Sequence, residues 1–289
     1  MLASAYRVTP TVKTKVPSDR STMDLDLKGS VGVVVGAARG LGQTIAAALV
    51  DEGVQVALLD ISPDVEKTAG ELGSRGVAQA WVCDVTNYAD VERTSAAIRS
   101  RFSRVDHVFF AVAIGSGKFG FPFWSFTPDV WDRVLRVNLI GAAHVAHAFA
   151  PPMAEARQGT FLFVSSVAGQ IGSQTDPPYS ASKAGLINFA QCAAKDLAPY
   201  GVRVNTICPG MVQTALNRAV WQSWADRQPP EQWRSYEDWA GEKVRQLIPL
   251  KRWQTPDDMA AMAIFLASGR AQNVTGQTIN VDGGWVMHW

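Results

Sequence analysis

The sequence predicts a single-domain α/β fold built on a doubly wound parallel sheet of about seven strands. Short apolar runs alternate with helical patterns along almost the whole chain, which is typical of consecutive βαβ units. The apolar runs are continuous rather than alternating with polar residues, as strands that are buried on both faces require. The length of 289 residues fits one large domain of this kind.

The predicted elements follow from these two patterns. The apolar runs that predict strands are residues 31–35, 55–59, 78–83, 107–112, 160–165, 203–207 and 278–281. Helical periodicity fills the intervals at 41–52, 64–75, 88–102, 127–150, 179–197 and 256–266. Residues 215–249 are irregular and rich in tryptophan and charge, so we expect them to form a lid insertion over a site.

The composition excludes several classes of protein. A net charge of +1 argues against a protein that binds nucleic acid or another polyanion. The cysteines Cys83, Cys192 and Cys208 lack metal or redox spacing and indicate a reducing compartment. No apolar run is long enough to cross a bilayer. We therefore expect a cytoplasmic protein that holds no metal ion.

The first 22 residues differ in composition from the rest of the chain. They are basic, rich in serine and threonine, and interrupted by Pro10 and Pro17. Because they lack the arginine-rich amphipathic pattern of a transit peptide, we interpret residues 1–22 as a disordered extension. A translation start at Met23 is a further interpretation, since the first strand follows soon afterwards. The folded domain is predicted to span residues 23–289.

A glycine-rich loop follows the first predicted strand. Residues 36–42 read G-x-x-x-G-x-G and lead directly into a helical pattern. Backbone N–H groups at a helix N-terminus attract a pyrophosphate. Gly36 permits the turn, and Gly40 and Gly42 let a ligand approach the backbone closely. The flanking strand and helix therefore favour a dinucleotide site over a turn that only packs a helix on a strand.

Two acidic residues at strand ends extend this predicted site. Asp60 ends the second strand, where a carboxylate can bond a ribose hydroxyl and repel a 2′-phosphate. Because Ser62 and Pro63 supply the start of the next helix, Asp60 is predicted to be free for the ribose. NAD is favoured over NADP, with Arg39 as the counter-argument because it could pair with that phosphate. Asp84 fits an adenine contact and a helix N-cap about equally well.

Several polar residues near the centre of the chain indicate chemistry. Tyr179 and Lys183 are four residues apart and share a helix face, where an ammonium would lower the pKa of the phenol. A phenol tuned in this way can exchange a proton with a substrate oxygen. Ser165 and Ser166 end a strand at the sheet edge where ligands bind. Asn138 interrupts an apolar helix and requires a partner if it is buried.

Together and in this order, the motifs resemble the short-chain dehydrogenase/reductase family over about residues 25–284. The matching pieces are GAARGLG, LLDI, CDVT, VNLIG, SSVAG, YSASK, NTICPGMVQT and VTGQTINVDGG. The resemblance implies a Rossmann-type sheet and an oxidoreductase that interconverts a secondary alcohol and a ketone. It implies direct hydride transfer with NAD or NADP, and assembly into homodimers or homotetramers.

The resemblance also implies roles for individual residues. Tyr179 is the acid/base, and Ser166, thirteen residues before it, holds the substrate oxygen. Lys183 tunes Tyr179 and bonds the nicotinamide ribose, while Asn138 holds a water that links Lys183 to solvent. The implied cofactor contacts are Gly36, Arg39, Gly40, Leu41, Gly42, Asp60, Asp84, Val85, Ala111, Tyr179, Lys183, Val212 and Thr214.

Two departures from the family pattern motivate alternatives. The family's Asn-Asn-Ala-Gly reads Phe110-Ala111-Val112-Ala113 here, and Val35 replaces a threonine before the first glycine. Neither change removes a reacting group. The altered strand-4 motif motivates a non-catalytic dinucleotide-binding module as one alternative. A second alternative, motivated by the arginine of the glycine loop, is an NADP-linked ketone or oxoacyl reductase.

Other features have two interpretations each. His144 and His147 lie three apart on a helix without a third metal ligand nearby, and we interpret them as packing or interface residues. The lid tryptophans either pack the lid or form an apolar or sugar-stacking pocket; they are Trp221, Trp224, Trp233 and Trp239. The apolar tail, residues 285–289, either packs across a subunit interface or folds back on its own sheet.

Overall fold

The computed structural model describes residues 24–173 and 175–287. The predicted N-terminal extension at residues 1–22 and the last two residues of the predicted tail lie outside the described residues.

Seven parallel strands form one sheet in the described ranges. They are β1 (Val31–Val35), β2 (Gln55–Asp60), β3 (Ala78–Val82), β4 (His107–Phe110), β5 (Gly159–Val164), β6 (Val202–Pro209) and β7 (Thr278–Val281). The order across the sheet is β3-β2-β1-β4-β5-β6-β7, and every neighbouring pair is parallel. The order reverses between β1 and β4, and ligands bind at such switch points in open α/β sheets. The predicted doubly wound, seven-stranded sheet is confirmed.

Nine α-helices accompany the sheet in the same described ranges. They are α1 (Gly40–Asp51), α2 (Asp64–Gly73), α3 (Tyr88–Phe102), α4 (Pro128–Leu135), α5 (Gly141–Ala156), α6 (Pro177–Leu197), α7 (Ala215–Ala225), α8 (Tyr236–Leu247) and α9 (Pro256–Ala267). The helix predicted at 127–150 is divided by a π-helical turn at Arg136–Ile140. It also continues past 150 through Pro151 and Pro152, because Phe149 and Met153 are buried against the sheet.

Two hydrophobic cores lie on opposite faces of the sheet. Val34 of β1 belongs to the core that contains Ile45 of α1 and Met259 of α9. Its neighbour Val33 belongs to the core that contains α3, α5 and α6, including Phe149. Successive residues of a strand point to opposite faces, so the continuous apolar strands fill both cores. At the carboxyl edge of the sheet, β2 ends in Asp60, β5 is followed by Ser165 and β7 is followed by Asp282.

The predicted lid consists of α7, α8 and the segments that join them. The lid has a small hydrophobic core in which Tyr236 and Trp239 are buried. Trp221, Trp224 and Trp253 pack against this core. The rings contact one another directly: Trp224 lies 6.2 Å from Trp239, and Trp221 lies 5.9 Å from Tyr236, between centroids. The structure therefore favours the lid-packing interpretation of these tryptophans. Trp233 remains 54% exposed at the lid surface.

Candidate active site

The glycine loop has the shape that a dinucleotide phosphate requires. Gly36 and Gly40 have φ values of +87° and +62°, which side chains rarely tolerate. A Cβ on Gly42 would lie 2.1 Å from the Gly36 carbonyl oxygen, so the turn closes on itself. Arg39 occupies the N-cap of α1 and makes no side-chain cap bond. The first N–H groups of α1, beginning near Leu41, are therefore open to an anion, and the loop fits the cofactor.

Asp60 is more constrained than the sequence predicts. Its Oδ2 accepts the Ala38 N–H at 2.9 Å, and its Oδ1 accepts the Ser62 N–H at 2.9 Å. Backbone folding therefore brings two donors to Asp60 that the sequence does not predict, and its contact with a ribose stays a prediction. Ser62 Oγ accepts the Asp64 N–H at 3.3 Å, while Pro63 stands at the N-cap of α2. The carboxylate keeps further lone pairs and can still accept a ribose hydroxyl.

Asp84 lies in a turn after β3 rather than at a helix cap. Its Oδ1 accepts both the backbone N–H and the hydroxyl of Thr86 at 2.8 Å. The N-cap of α3 is Asn87, which accepts the Asp90 N–H at 3.4 Å. The helix-cap alternative for Asp84 is therefore wrong. Its neighbour Val85 is buried beside this turn.

The two histidines of α5 pack against the same region. His144 Nδ1 donates to the Val85 carbonyl oxygen at 2.8 Å. The Tyr88 ring lies 5.5 Å from the His144 ring and 5.3 Å from the His147 ring. Across residues 24–173 and 175–287, no cluster of three or more candidate ligands could hold a metal ion. The packing interpretation of both histidines agrees with these contacts.

The two serines that end β5 have different partners. The Ser165 hydroxyl is buried and donates to the Lys183 carbonyl oxygen at 2.8 Å, which fixes the backbone of α6. Ser166 Oγ accepts the Ala168 N–H at 3.1 Å and also contacts the Tyr179 hydroxyl. Ser166 is thus the serine that the structure brings to the tyrosine.

Lys183 is buried, and no carboxylate in the part of the chain that the structure describes forms an ion pair with it. It is 1% exposed, and its Nζ donates to the Val164 carbonyl oxygen at 2.8 Å. Its Nζ lies 5.6 Å from the centre of the Tyr179 ring. Burial lowers the pKa of Lys183 to about 8, because the charged ammonium loses its hydration.

Tyr179 differs from its predicted state. Burial raises the pKa of Tyr179 to about 12, the Ser166 hydrogen bond lowers it, and the Asp176 carboxylate raises it further. The predicted lowering of the Tyr179 pKa by the lysine is therefore wrong. The ammonium points to the Val164 carbonyl oxygen, and loss of hydration outweighs its attraction for a phenolate.

Asn138 is fully buried in the π-helical turn and its amide is bonded on both sides. Its Oδ1 accepts the Ile114 N–H at 2.8 Å, and its Nδ2 donates to the Ile114 carbonyl oxygen at 2.9 Å. The same Nδ2 donates to Ser182 Oγ on α6 at 3.0 Å. Asn138 therefore ties the loop after β4 to the helix of Tyr179. The water-holding role of Asn138 stays a prediction.

The remaining predicted cofactor residues lie where the strands end. Ala111 follows β4 and donates its N–H to the Val35 carbonyl oxygen at 2.9 Å, beside the glycine loop. Val212 is buried and forms a parallel bridge with Gln254. Thr214 caps α7 by accepting the Asn217 N–H at 3.3 Å, so it stands at the root of the lid.

One residue at this site is missed by the sequence analysis. Asp176 is 5% exposed and caps the N-terminus of α6. The signal is present in the sequence, since an aspartate followed by prolines is typical of a helix start. Its second partner lies 60 residues earlier in the chain and leaves no such signal.

Comparison with known proteins agrees with this geometry. A family model described as enoyl-(acyl carrier protein) reductase matches residues 36–286. The chain belongs to the short-chain dehydrogenase/reductase family. It is 32% identical over 91% of its length to D-threitol dehydrogenase of Mycolicibacterium smegmatis, covering 95% of that protein. It is 31% identical over 90% of its length to a 3-oxoacyl-[acyl-carrier-protein] reductase of Thermotoga maritima, covering 99% of it.

A solved structure of NAD⁺-bound xylitol dehydrogenase is similar over the whole domain. It superposes with a TM-score of 0.82 at 28% identity, over 90% of this chain and 100% of that one. The chain is thus an enzyme, a short-chain dehydrogenase/reductase acting on alcohol groups with NAD or NADP. Within the described ranges, every helix is too short or too polar to traverse a membrane.

Proposed function

We propose that this enzyme oxidises secondary alcohols with NAD, using Tyr179 as the acid/base. The observation that carries the proposal is the convergence of Ser166, Tyr179 and Lys183 at one carboxyl edge of the sheet. A module that only binds a dinucleotide has no use for this arrangement. This arrangement and the family membership both argue against the non-catalytic alternative that the altered strand-4 motif motivates.

The geometry supports a simple division of labour. When bound at the glycine loop, a nicotinamide cofactor would supply the hydride chemistry at the carbinol carbon. The Ser166 hydroxyl holds the substrate oxygen, and Tyr179 exchanges the proton at that oxygen. With its pKa raised to about 12, Tyr179 is protonated at neutral pH and suited to donate in the reductive direction. In the oxidative direction, Tyr179 must start as a phenolate to accept the alcohol proton, and the Lys183 ammonium favours that phenolate.

Three observations bear on the cofactor. The Asp60 carboxylate at the end of β2 opposes a 2′-phosphate and supports NAD. The xylitol dehydrogenase relative binds NAD⁺. Arg39 is exposed and makes no ion pair within the described ranges, which supports the NADP alternative. The dissociation constants of NAD and NADP for the wild type distinguish the two cofactors. A wild-type preference for NADP would overturn this part of the proposal.

Polyols are the first substrate class to test. Two relatives are named for D-threitol and xylitol, which are short linear polyols. The second candidate is reduction of an oxoacyl thioester, supported by the Thermotoga maritima relative. Oxidation of D-threitol, xylitol and sorbitol with NAD, compared with reduction of acetoacetyl thioesters with NADPH, separates the two.

Tyr179→Phe tests the chemistry itself. We expect this variant to lose NAD-linked turnover by about a thousandfold, because proton transfer by a positioned group contributes on the order of 10² to 10⁴. Binding of NADH should stay within twofold, since the glycine loop is untouched. A variant with most of its activity would refute the assignment. Cofactor binding by a wild type that turns over none of the tested alcohols or ketones would overturn the proposed substrate classes.

We also propose that the enzyme is a cytoplasmic homodimer or homotetramer. On α6, Ala181 and Ala184 are exposed and small, which permits close helix pairing. Next to them, Trp124 is 74% exposed and Ile171 is 40% exposed, forming an apolar groove beside α6. Cys83 and Cys208 are unpaired and buried, as expected in a reducing compartment. Sedimentation as a monomer at micromolar concentration would contradict the assembly.

A further inference from the structure

Asp176 is a buried carboxylate that the proposed reaction does not use. It lies three residues before Tyr179 and is 5% exposed. A carboxylate is rarely buried to this extent unless its oxygens have specific partners. Its partners lie on two different parts of the site.

The first partner is the backbone of Tyr179. Pro177 and Pro178 occupy the first two positions of α6 and have no N–H groups. The N–H of Tyr179 is therefore the first donor of the helix, and Asp176 Oδ1 accepts it at 3.4 Å. The Asp176 carbonyl oxygen accepts the Ser180 N–H at 2.9 Å and begins the helix. The cap thus acts on the residue that carries the reacting hydroxyl.

The second partner is the loop that follows β4. Asp176 Oδ2 accepts the Ser116 N–H at 2.9 Å. A Cβ on Gly115 would lie 2.9 Å from that oxygen, so the loop approaches the carboxylate closely. The Thr175 carbonyl oxygen also accepts the Gly120 N–H at 2.7 Å. Two hydrogen bonds therefore hold the loop at 114–120 against the start of α6.

The far end of the same loop is held by the lid. The Phe119 carbonyl oxygen accepts hydrogen bonds from Ser223 Oγ at 3.2 Å and Arg227 Nη1 at 2.9 Å. The Arg227 guanidinium also lies 4.3 Å from the centre of the Phe121 ring. The loop is consequently fixed between α7 of the lid and the Asp176 carboxylate.

We propose that Asp176 is a positioning residue for the reaction, because it fixes Tyr179 against the loop that the lid holds. This inference rests on the proposed function of Tyr179. Displacement of a reacting group by about 1 Å costs roughly 10²-fold in rate. Loss of the carboxylate should therefore lower kcat by about 10- to 100-fold. NADH binding should change less than twofold, because the glycine loop makes no contact with Asp176.

The charge of Asp176 provides a second readout. The groups that face it are the Arg133 guanidinium of α4, the Ser116 hydroxyl and Tyr179. Tyr179 is faced in turn by Ser166, Cys208 and Lys183 besides Asp176. Because the carboxylate raises the pKa of Tyr179, its removal lowers that pKa. The rise of kcat with pH in alcohol oxidation should then shift to lower pH.

Two variants and one control test the proposal. Asp176→Asn removes the charge and one acceptor, whereas Asp176→Ser keeps a helix cap but cannot reach Ser116. Ser268→Ala is the control, because Ser268 is a buried cap at the other end of the sheet and touches no site residue. All three should lose some thermal stability. Only the Asp176 variants should lose kcat and shift the pH profile.

Hydrogen–deuterium exchange of the free enzyme keeps this test independent of the substrate. Asp176→Asn should speed amide exchange at residues 113–120 and at the start of α6. Asp176→Ser keeps the helix cap, so it should speed exchange chiefly at residues 113–120. Wild-type exchange at both segments, or an unchanged kcat and pH profile, overturns the positioning role. If the wild type shows no turnover but the Asp176 variants show the expected changes in exchange, only the proposed function is refuted.

Discussion

Replacing Asp60 by asparagine should reverse much of the cofactor preference. Asp60 ends β2 with its carboxylate beside the glycine loop, where a 2′-phosphate would lie. Two unit charges 4 Å apart repel by about 1 kcal/mol in water and about 4 kcal/mol at a dielectric constant of 20. Asp60 is half-buried, so we take a repulsion of roughly 2 kcal/mol between its carboxylate and the 2′-phosphate. Removing this repulsion corresponds to about 30-fold tighter binding of NADP.

The same substitution should weaken NAD binding. A ribose hydroxyl bonded to a carboxylate contributes about 1 kcal/mol more than one bonded to a neutral amide, or roughly fivefold in affinity. The preference for NAD over NADP should therefore fall on the order of 100-fold in Asp60→Asn. Asparagine keeps one acceptor for the N–H groups of Ala38 and Ser62, so the loop should survive with a small loss of stability.

Titration of NADH and NADPH fluorescence measures both dissociation constants. Asp64→Asn is the matched control, since Asp64 is exposed at the start of α2 and makes no bond to the glycine loop. In the control, the ratio of the NADH and NADPH dissociation constants should stay within about twofold of the wild-type ratio, because exposed charges are well screened. If Asp60→Asn has the same ratio of dissociation constants as the control, the Asp60 charge does not set the cofactor preference.

Four further outcomes are expected. Lys183→Met should abolish turnover yet raise stability at pH 7 by up to about 3 kcal/mol, because the pKa of Lys183 falls from 10.5 to about 8 on folding. By the same linkage, wild-type stability should rise between pH 8 and 10, where the unfolded chain binds the extra proton; urea titrations at each pH measure both. Gly42→Ala should weaken NADH binding at least tenfold, since its Cβ would meet the Gly36 carbonyl oxygen at 2.1 Å; normal binding would contradict this. Deleting residues 286–289 should lower the melting temperature without changing the assembly, because the backbone of Val286 is hydrogen-bonded to Asn280 and Asp282 of its own chain; a smaller assembly in sedimentation would favour the interface instead.

The sequence predicts what depends on neighbouring residues and misses what depends on distant ones. The strands, the glycine loop and the helix of Tyr179 follow from local pattern, and the structure confirms them as elements. The π-helical turn could not be predicted, because Asn138 is bonded to Ile114, 24 residues earlier. The same is true of Asp60, whose partner Ala38 is 22 residues away.

The sign of the Tyr179 pKa shift illustrates a second limit. Four-residue spacing places Lys183 on the same helix face, which the structure confirms. Spacing does not reveal burial, however, and burial decides the sign because it penalises a phenolate more than the distant ammonium favours it. A motif can therefore identify which groups meet before it can give their protonation states.

The aromatic core of the lid bears on how such an enzyme can change its substrate. Tyr236 and Trp239 pack chiefly on rings of the lid itself, and Thr214 marks where that segment leaves the sheet. A segment that carries its own core can be exchanged or redesigned without repacking the two cores of the sheet. Ser166, Tyr179 and Lys183 all lie outside it. The fold thus separates a segment that evolution can vary from these three residues, and grafting this segment between members of the family tests whether it sets specificity.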